Sequence, residues 1–567
     1  MTRVMNETIK KLLFLFAILS VLQPAWSMFP VTTDFQRNPE ASGNILCNER
    51  INMHTDRGIY IAGEMLFFKI CLTSLTDSLS GKSNIGYLIL RDIHNNPIIR
   101  QNILFAGSIA YGSLLLPDTL RTGLYQLIAF TNNMRNFGES QFCYHELIIA
   151  NRFDEELEFD LKAFHEEKES GTGLFRTSAL TVKTNKDSYQ AREKVTISMN
   201  MPGDALANLS VSVAEAPGTE KREGRKPAGK ELLPAGSRNA CKSMIEDRGY
   251  IVSGSVSNPA SGIVVMLSVP DSLANMMYSI TDGSGRFFFQ LDSGYYDREL
   301  FIRIADQSGS NASSITLDNK YAVQDPALYD FTGISNELRQ FIRKSQTIAG
   351  IHKTYQIKAV VEETARPLKA VSRRVYYQPD NLLLTADYLP MNNINEIIRE
   401  ALPFVRLNRT DNYYEVEILD PENKTTLKHP AIFINGMPAG SINPIVNLGS
   451  DKIKQVETIW RRRVFGTLEL NGILAVFTTA DVKNDEYIDQ KTLAVEPVNF
   501  LKPSQFIIPD YSTSDKRSDR NPDFRQLLYW NPQVFLRGGK SLTVEFYTSD
   551  NIGSYVININ GINSDGS

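Results

Sequence analysis

Cysteine is scarce in this chain, with four among 567 residues, and Cys47, Cys71, Cys143 and Cys241 form no C-x-x-C pair. A thiolate zinc or redox centre therefore gains no support. The six histidines, at 54, 94, 145, 165, 352 and 429, are scattered without ligand spacing, so neither a metal nor a cofactor is expected. A surplus of positive charge is missing as well. Lys and Arg number 60 against 64 Asp and Glu, which excludes a nucleic-acid binder working through phosphate electrostatics. The tract Lys221 to Lys230 and the triplet Arg461-Arg462-Arg463 are local exceptions that read as solvated surface. No Gly-x-Ser-x-Gly elbow occurs to hold a hydrolase nucleophile.

What is present begins with a targeting pattern over residues 1–27. Lys10 and Lys11 form a basic region, Leu12 to Leu22 an apolar one, and Ala25-Trp26-Ser27 a small-x-small cleavage site,. The apolar part is too short for a membrane helix, which needs about 20 residues, and no later run is longer. The mature chain is therefore expected to be exported, in the periplasm or at the outer membrane, with no transmembrane segment. Export permits disulfides. Four cysteines allow three full pairings, and Cys71 and Cys143, inside apolar runs, fit buried free thiols equally well.

After a polar lead-in over 28–50, strand-sized apolar runs recur at short intervals: Met65 to Leu72, Tyr87 to Leu90, Leu124 to Phe130 and Glu139 to Ile149. Turn signals such as Asn95-Asn96-Pro97 and Pro117-Asp118 separate them, a pattern that predicts a β-sandwich over 51–151. The chain then repeats itself. Tyr60-x-Ala62-x-Glu64-x-Leu66-x-Phe68 returns as Tyr189-x-Ala191-x-Glu193-x-Val195-x-Ile197, with Asp56-Arg57 and Lys186-Asp187 close upstream. Period-two alternation after each glutamate marks a half-buried strand. A second sandwich is expected over 152–247, with the Pro/Gly/Lys-rich stretch 216–236 as an exposed, protease-sensitive insertion.

A third β unit is expected over 248–322. In Thr281-Asp-Gly-Ser-Gly285-Arg-Phe-Phe-Phe289, Asp282 and Gly285 would close a turn, and Phe287 and Phe289 would enter the core on one face. A connector follows over 323–379. Ile394, Ile397, Ile398 and Ala401 have helical spacing, with Asn392 and Asn393 as candidate N-caps and Pro403 beyond the end. This helix leads into Ala431-Ile-Phe-Ile-Asn-Gly436 and Asn471-Gly-Ile-Leu-Ala-Val-Phe-Thr-Thr479, where both Asn-Gly pairs predict reversals. A small α+β domain is expected over 380–480, then a linker (481–522) and a C-terminal β segment (523–567). Two or three strands cannot bury a core alone. That segment must dock on another domain or borrow a strand from a partner.

These stretches carry resemblances. Residues 56–64 with Gly123-Leu-Tyr125-Gln-Leu-Ile-Ala129 resemble a macroglobulin-type (MG2) domain, and residues 248–322 resemble the carboxypeptidase regulatory-like, transthyretin-type domain, which implies no peptidase activity. Residues 431–479 resemble the plug of TonB-dependent outer-membrane receptors, although too few residues follow for the roughly 22-stranded barrel that encloses such a plug. The expected fold class is mainly β: serial β-sandwiches, one small α+β plug-like domain and a C-terminal β segment. The macroglobulin resemblance would imply a covalent trap only with a Gly-Cys-Gly-Glu-Gln thioester, and the four cysteines here are followed by Asn48, Leu72, Tyr144 and Lys242.

Two further patterns stop short. His145-Glu-Leu-Ile-Ile149 lacks the second histidine of a zinc-protease helix, and Gly539-Lys540-Ser541 lacks the first glycine of a phosphate loop, with Val534 in its place,. Taken together, the order of units resembles exported multi-domain proteins of Bacteroidota. That resemblance implies a non-enzymatic envelope protein that binds protein partners, a TonB-dependent receptor among them, or glycan. The competing readings are an envelope enzyme acting on glycans or peptides at an inter-domain site, and a thioester-less macroglobulin relative engaging proteases. The candidate interaction surface is Trp460 with Arg461, Arg462 and Arg463, because Trp and Arg are enriched at interface hot spots.

Overall fold

The computed structural model describes residues 49–74, 83–155, 157, 180–204, 206–217, 243–257, 262–305, 314–323, 335–355, 361–363, 369–371, 373–411, 413–483, 486–489 and 491–563. The targeting pattern, all of the insertion 216–236 but its first two residues, Cys47 and Cys241 lie outside these residues. The chain is mainly β and divides into two compact units. The larger holds three sandwiches, and the smaller consists of 271–274 with 375–489 among the described residues.

In the first sandwich, strands Glu49–Thr55, Met65–Ser74 and Ile109–Leu115 face a five-stranded sheet. That sheet runs in the order Ile59–Ile61, Cys143–Ala150, Gly123–Phe130, Ile85–Asp92, Pro97–Leu104. Alternation decides what each face meets. Leu66, Phe68, Ile70 and Leu72 enter the core of this sandwich. Phe67, on the opposite face, packs with Ala214, Leu527 and Trp530 of the second sandwich. Cys71 and Cys143 are buried free thiols. Helix Asn336–Thr354 lays Leu338 and Ile342 against Ile61, Leu124 and Ile148, its first turn capped by the Ser335 hydroxyl accepting from Leu338 N at 3.2 Å,.

The second sandwich is assembled from two distant parts of the chain. Strand Leu206–Glu215 is flanked on both sides by C-terminal strands, Leu527–Arg537 and Tyr555–Asn563. In the opposing sheet Lys194–Asn200 lies between Ser541–Tyr547 and Thr181–Thr184. Residues 523–563 are thus no separate segment in the fold. They supply three of the six strands, because 181–215 alone offers too little apolar surface to close two sheets. The shared core joins Val195, Ile197, Val211 and Val213 to Leu536, Val544 and Phe546. Arg192, at φ +54°, fastens the return. Its guanidinium donates twice to Asp550, at 2.8 and 2.7 Å, and to the carbonyls of Arg517, Asp519 and Asn521.

The third sandwich comprises Arg286–Leu291, Tyr250–Val256 and Ile315–Leu317 against Met277–Ile280, Val264–Ser268, Leu300–Ile304 and the later strand Thr492–Val495. The turn into Phe287 forms as its residues require. Asp282 Oδ1 accepts from Ser284 N and Arg286 N at 2.8 and 2.9 Å, Gly285 has φ +72°, and Phe287 and Phe289 are both buried.

In the smaller unit the sheet order is Asn381–Leu384, Ile453–Phe465, Leu468–Thr478, Ala431–Ile434, Met437–Ala439. A three-stranded sheet, Val405–Thr410, Tyr413–Asp420 and Thr425–Lys428, accompanies it. Helix Ile394–Ala401 buries Ile394, Ile397 and Ile398 and is capped by Asn393 Oδ1 accepting from Glu396 N at 2.9 Å. Asn435 and Gly436 have φ +48° and +84° between Ile434 and its partner Met437, a tight primed turn. Asn471-Gly472, by contrast, is no reversal. The chain reverses at Gly466-Thr467, between the paired Phe465 and Leu468. Gly472, at φ +78°, sits opposite a bulge where Trp460 and Arg461 interrupt the register between Ile459 and Arg462,. A positive-φ glycine serves a turn and a bulge equally, and this explains the misreading.

The internal repeat is closer in three dimensions than in sequence. Asp56 Oδ1 accepts from Tyr60 Oη and Phe67 N, both at 2.7 Å, while Ile61 N donates to Glu64 at 2.8 Å. In the second copy Asn185 Oδ1 accepts from Tyr189 Oη at 2.7 Å and Thr196 N at 2.9 Å, and Gln190 N donates to Glu193 at 2.7 Å. Arg57–Glu64 becomes Lys186–Glu193. Asn185, one turn before Tyr189, therefore takes the part of Asp56, which Asp187 does not. The first copy is buried and the second exposed. Tyr60→Phe should cost about 1–3 kcal/mol, since it leaves a buried carboxylate short of a donor, and Tyr189→Phe less than about 1 kcal/mol. Urea unfolding midpoints of the two variants check the order.

Candidate interaction surfaces

Trp460 and the arginines occupy the bulged hairpin of the smaller unit. Strand Asn381–Leu384 pairs with Gln455 to Thr458, and Trp460 to Val464 continue beyond it along an edge that no described strand pairs with. Asp380 Oδ2 accepts from Trp460 N at 2.9 Å, and the half-buried indole meets Phe404 edge-on at 4.7 Å. Arg461 pairs with Glu422 at 2.7 Å and Arg462 with Glu469 at 3.5 Å, both exposed, and Arg463 is exposed. The structure thus brings the four residues together as a ridge, with two of the three arginines partly neutralised. Val464, 69% exposed, extends the ridge with an apolar side chain.

A second surface was legible in sequence only as an incomplete edge in the C-terminal segment, without its groove. On one side of the second sandwich the edge strands Thr181–Thr184 and Tyr555–Asn563 leave the two sheets unsealed among the described residues. Leu180, Val182, Thr184, Ile557 and Ile559 line a groove of about 480 Å³ there. Ile557 and Ile559 pair with Val213 and Val211 and point inward, yet stay half-exposed where Val211 and Val213 are buried. Tyr555–Asn563 pairs along its length with 207–215 and has no strand on its other side among the described residues. Its only sequence signal was the alternation of Val556, Asn558 and Asn560 with Ile557 and Ile559.

Several buried ionisable groups sit at or beside joints between sandwiches. Toward the first sandwich, strand Leu206–Glu215 turns Asn208, Ser210 and Ser212. Lys69 Nζ donates to Asn208 O at 3.1 Å and Oδ1 at 2.8 Å, His54 Nδ1 contacts Ser210 Oγ at 2.7 Å, and Ser212 Oγ donates to Asp56 O at 2.8 Å. Burial pushes the Asp56 carboxyl up to about 6, opposed by Arg57 and by the donors Tyr60 and Phe67. Between the first and third sandwiches, Glu246 accepts from Tyr87 Oη at 2.7 Å, Ile251 N at 2.9 Å and Lys320 Nζ at 2.5 Å. Lys320 Nζ lies 4.2 Å from the centre of the Tyr250 ring, and burial lowers its pKa against the pull of Glu246. Glu215 is held by Lys344, Gln526 and Asn551. Each of these groups has its hydrogen-bonding capacity committed to fixed protein partners.

His145 lies in strand Cys143–Ala150 beside Thr55 Oγ1, at 2.8 Å. Gly539-Lys540-Ser541 lies at the turn that carries the chain from Leu527–Arg537 in one sheet to Ser541–Tyr547 in the other, with no helix after it among the described residues to meet a phosphate,. Among the described residues no group of three or more His, Cys, Asp or Glu side chains is placed to hold a metal. Nor is any described helix long and apolar enough to cross a membrane.

No family model matches this sequence, and no curated protein matches it. Among solved structures, Escherichia coli alpha-2-macroglobulin activated by porcine elastase is similar at 9% identity and a TM-score of 0.15, over 50% of this chain and 31% of that one. Salmonella alpha-2-macroglobulin reacted with methylamine matches at 10% identity and 0.15, over 92% and 23%. The Escherichia coli adhesin FdeC matches at 11% and 0.14, over 48% and 65%. The chain spans less than a third of the macroglobulins' length, and scores this low carry no argument about fold or function.

Gly472 tests the geometry of the ridge. A Cβ there would lie 3.0 Å from Ile459 O at a φ of +78°. Gly472→Ala should therefore cost about 1–3 kcal/mol, while Glu422→Gln, which frees only an exposed pair, should cost under about 1 kcal/mol. Thermal unfolding of both variants measures the contrast.

Proposed function

We propose that this chain is a non-enzymatic binding and scaffold protein of the bacterial cell envelope, engaging a protein partner by strand addition at the Tyr555–Asn563 edge. The observation that carries this reading is the side of the second sandwich where a strand edge with no partner among the described residues adjoins an apolar groove. An extended segment with apolar side chains at alternate positions would satisfy both at once, through backbone hydrogen bonds along the edge and side chains in the groove. The commitment of Glu215, Glu246 and Lys320 to structural joints, and of Asp56 to its own turn, favours binding over chemistry. The plug resemblance of 380–480 suggests TonB-dependent uptake at the outer membrane as the setting, with the Trp460–Arg463 ridge as a second contact, and the pattern in residues 1–27 suggests export.

Mild cross-linking of cell envelopes followed by purification of the chain tests this. Recovery of an outer-membrane barrel protein is expected. A charge in the groove, Ile557→Asp with Val182→Asp, should cut that recovery at least tenfold, and Val464→Lys should leave strand addition intact. Equal recovery from groove variant and wild type would contradict strand addition, and recovery of no envelope protein would contradict the scaffold role.

A further inference from the structure

Lys69 and Asn208 meet from the middle strands of two sheets. Lys69 stands on Met65–Ser74, paired with His54 on one side and Tyr111 on the other. Asn208 stands on Leu206–Glu215, between Phe535 and Ile562. Neither backbone can shift without breaking two ladders. Lys69 is 1% exposed, and its Nζ lies 2.8 Å from Asn208 Oδ1 and 3.1 Å from Asn208 O. A carbonyl bond of about 1.23 Å therefore places Nζ no more than about 4 Å from Cγ of the Asn208 amide, close to the roughly 3–3.5 Å of reactants poised to attack.

Two features set this contact apart from the other lysine contacts in the joints. Lys320 has Glu246 and Lys344 has Glu215, whereas only amide oxygens meet Lys69 Nζ among the described residues. A buried ammonium without a counter-charge is costly and tends to give up its proton. Burial accordingly brings Lys69 down to about 8, so that a neutral, nucleophilic amine is accessible near neutral pH. The second feature is the amide nitrogen of Asn208, which donates to no acceptor among the described residues and is held back by no hydrogen bond there.

We propose that Lys69 and Asn208 form an intramolecular isopeptide bond that joins the first sandwich covalently to the second. Nζ of the neutral amine adds to Cγ of Asn208, the Cγ–Nδ2 bond breaks, and ammonia leaves. Nζ loses one proton and the departing Nδ2 gains one, so the step balances with no oxidant, reductant or co-reactant. The imidazole of His54, on the adjacent strand directly beside Lys69 and kept neutral by burial, is the base at hand to carry that proton. Because C-terminal strands flank Asn208 on both sides, tension on them would pass through this bond into the first sandwich.

Mass spectrometry of the purified full chain, intact and after digestion, tests this. The wild-type mass should fall short of the sum of its residues by one ammonia, and a branched peptide should link residues 69 and 208. Lys69→Arg keeps the cation and its donors but not the nucleophilic amine, and should restore the full mass. Asn208→Asp should give the same linked peptide with loss of one water instead. The pairs Asn435-Gly436 and Asn471-Gly472 can also lose ammonia by cyclising on themselves, and the branched peptide separates the two sources. A wild-type chain at full mass, a deficit without the 69–208 peptide, or a deficit that survives Lys69→Arg would each overturn the proposal, whether or not the Asn208 variant folds.

Discussion

Strand Leu206–Glu215 has two hydrogen-bonding edges and two faces, and every one of them is used. Both edges pair with segments more than 300 positions further along the chain. One face fills the core of the second sandwich with Leu209, Val211 and Val213, and the other meets the first sandwich through Asn208, Ser210 and Ser212. Pairing at such separation carries a loop-closure cost that must be met before the contacts form. The second sandwich therefore cannot complete itself until the C-terminal strands arrive. Arg192 and Asp550 then tie the last connection to the opposing sheet.

The joints between sandwiches are polar where the cores are apolar, and this asymmetry has a physical meaning. An apolar contact tolerates sliding, whereas Glu246 with its three donors or Lys69 with Asn208 accepts one arrangement. A buried ion pair such as Lys320–Glu246 adds little net stability, but breaking it from one side leaves an uncompensated charge. The three sandwiches of the larger unit are thus held in register by a few directional contacts rather than by area alone. The open side of the second sandwich is the exception. There the apolar side chains Val182, Ile557 and Ile559 stop at an edge that no described strand pairs with.

Local chemistry made much of the fold legible. Strand-sized apolar runs between turn signals marked most strands of the first sandwich, Asn435-Gly436 marked its turn, Asp282 to Phe289 marked the entry to the third core, and the spacing of Ile394, Ile397 and Ile398 marked the helix. What escaped was non-local. Alternation in Leu527–Arg537 states that the strand has two unlike faces, not that its partner is Leu206–Glu215. The groove and the His54–Ser210 joint exist only once those strands meet, so no motif announced them. The second copy of the tyrosine turn was misjudged for a simpler reason: an amide oxygen on Asn185 accepts the same hydrogen bonds as the carboxylate of Asp56, and the nearby Asp187 distracted from it. Trp460 and its arginines were found as neighbours in sequence, but their pairing with Glu422 and Glu469 and the bulge that exposes them were not.

The return of the C-terminal strands into the second sandwich is the claim on which the groove and the joint both rest. Ser198 and Thr543 stand directly opposite on strands Lys194–Asn200 and Ser541–Tyr547. Cysteines placed at these two positions should form a disulfide under mild oxidation, mapped by mass spectrometry, and the off-register pair Ser198→Cys with Ser541→Cys should form far less. Absence of the 198–543 bridge, or equal yield from both pairs, would contradict the assembly described.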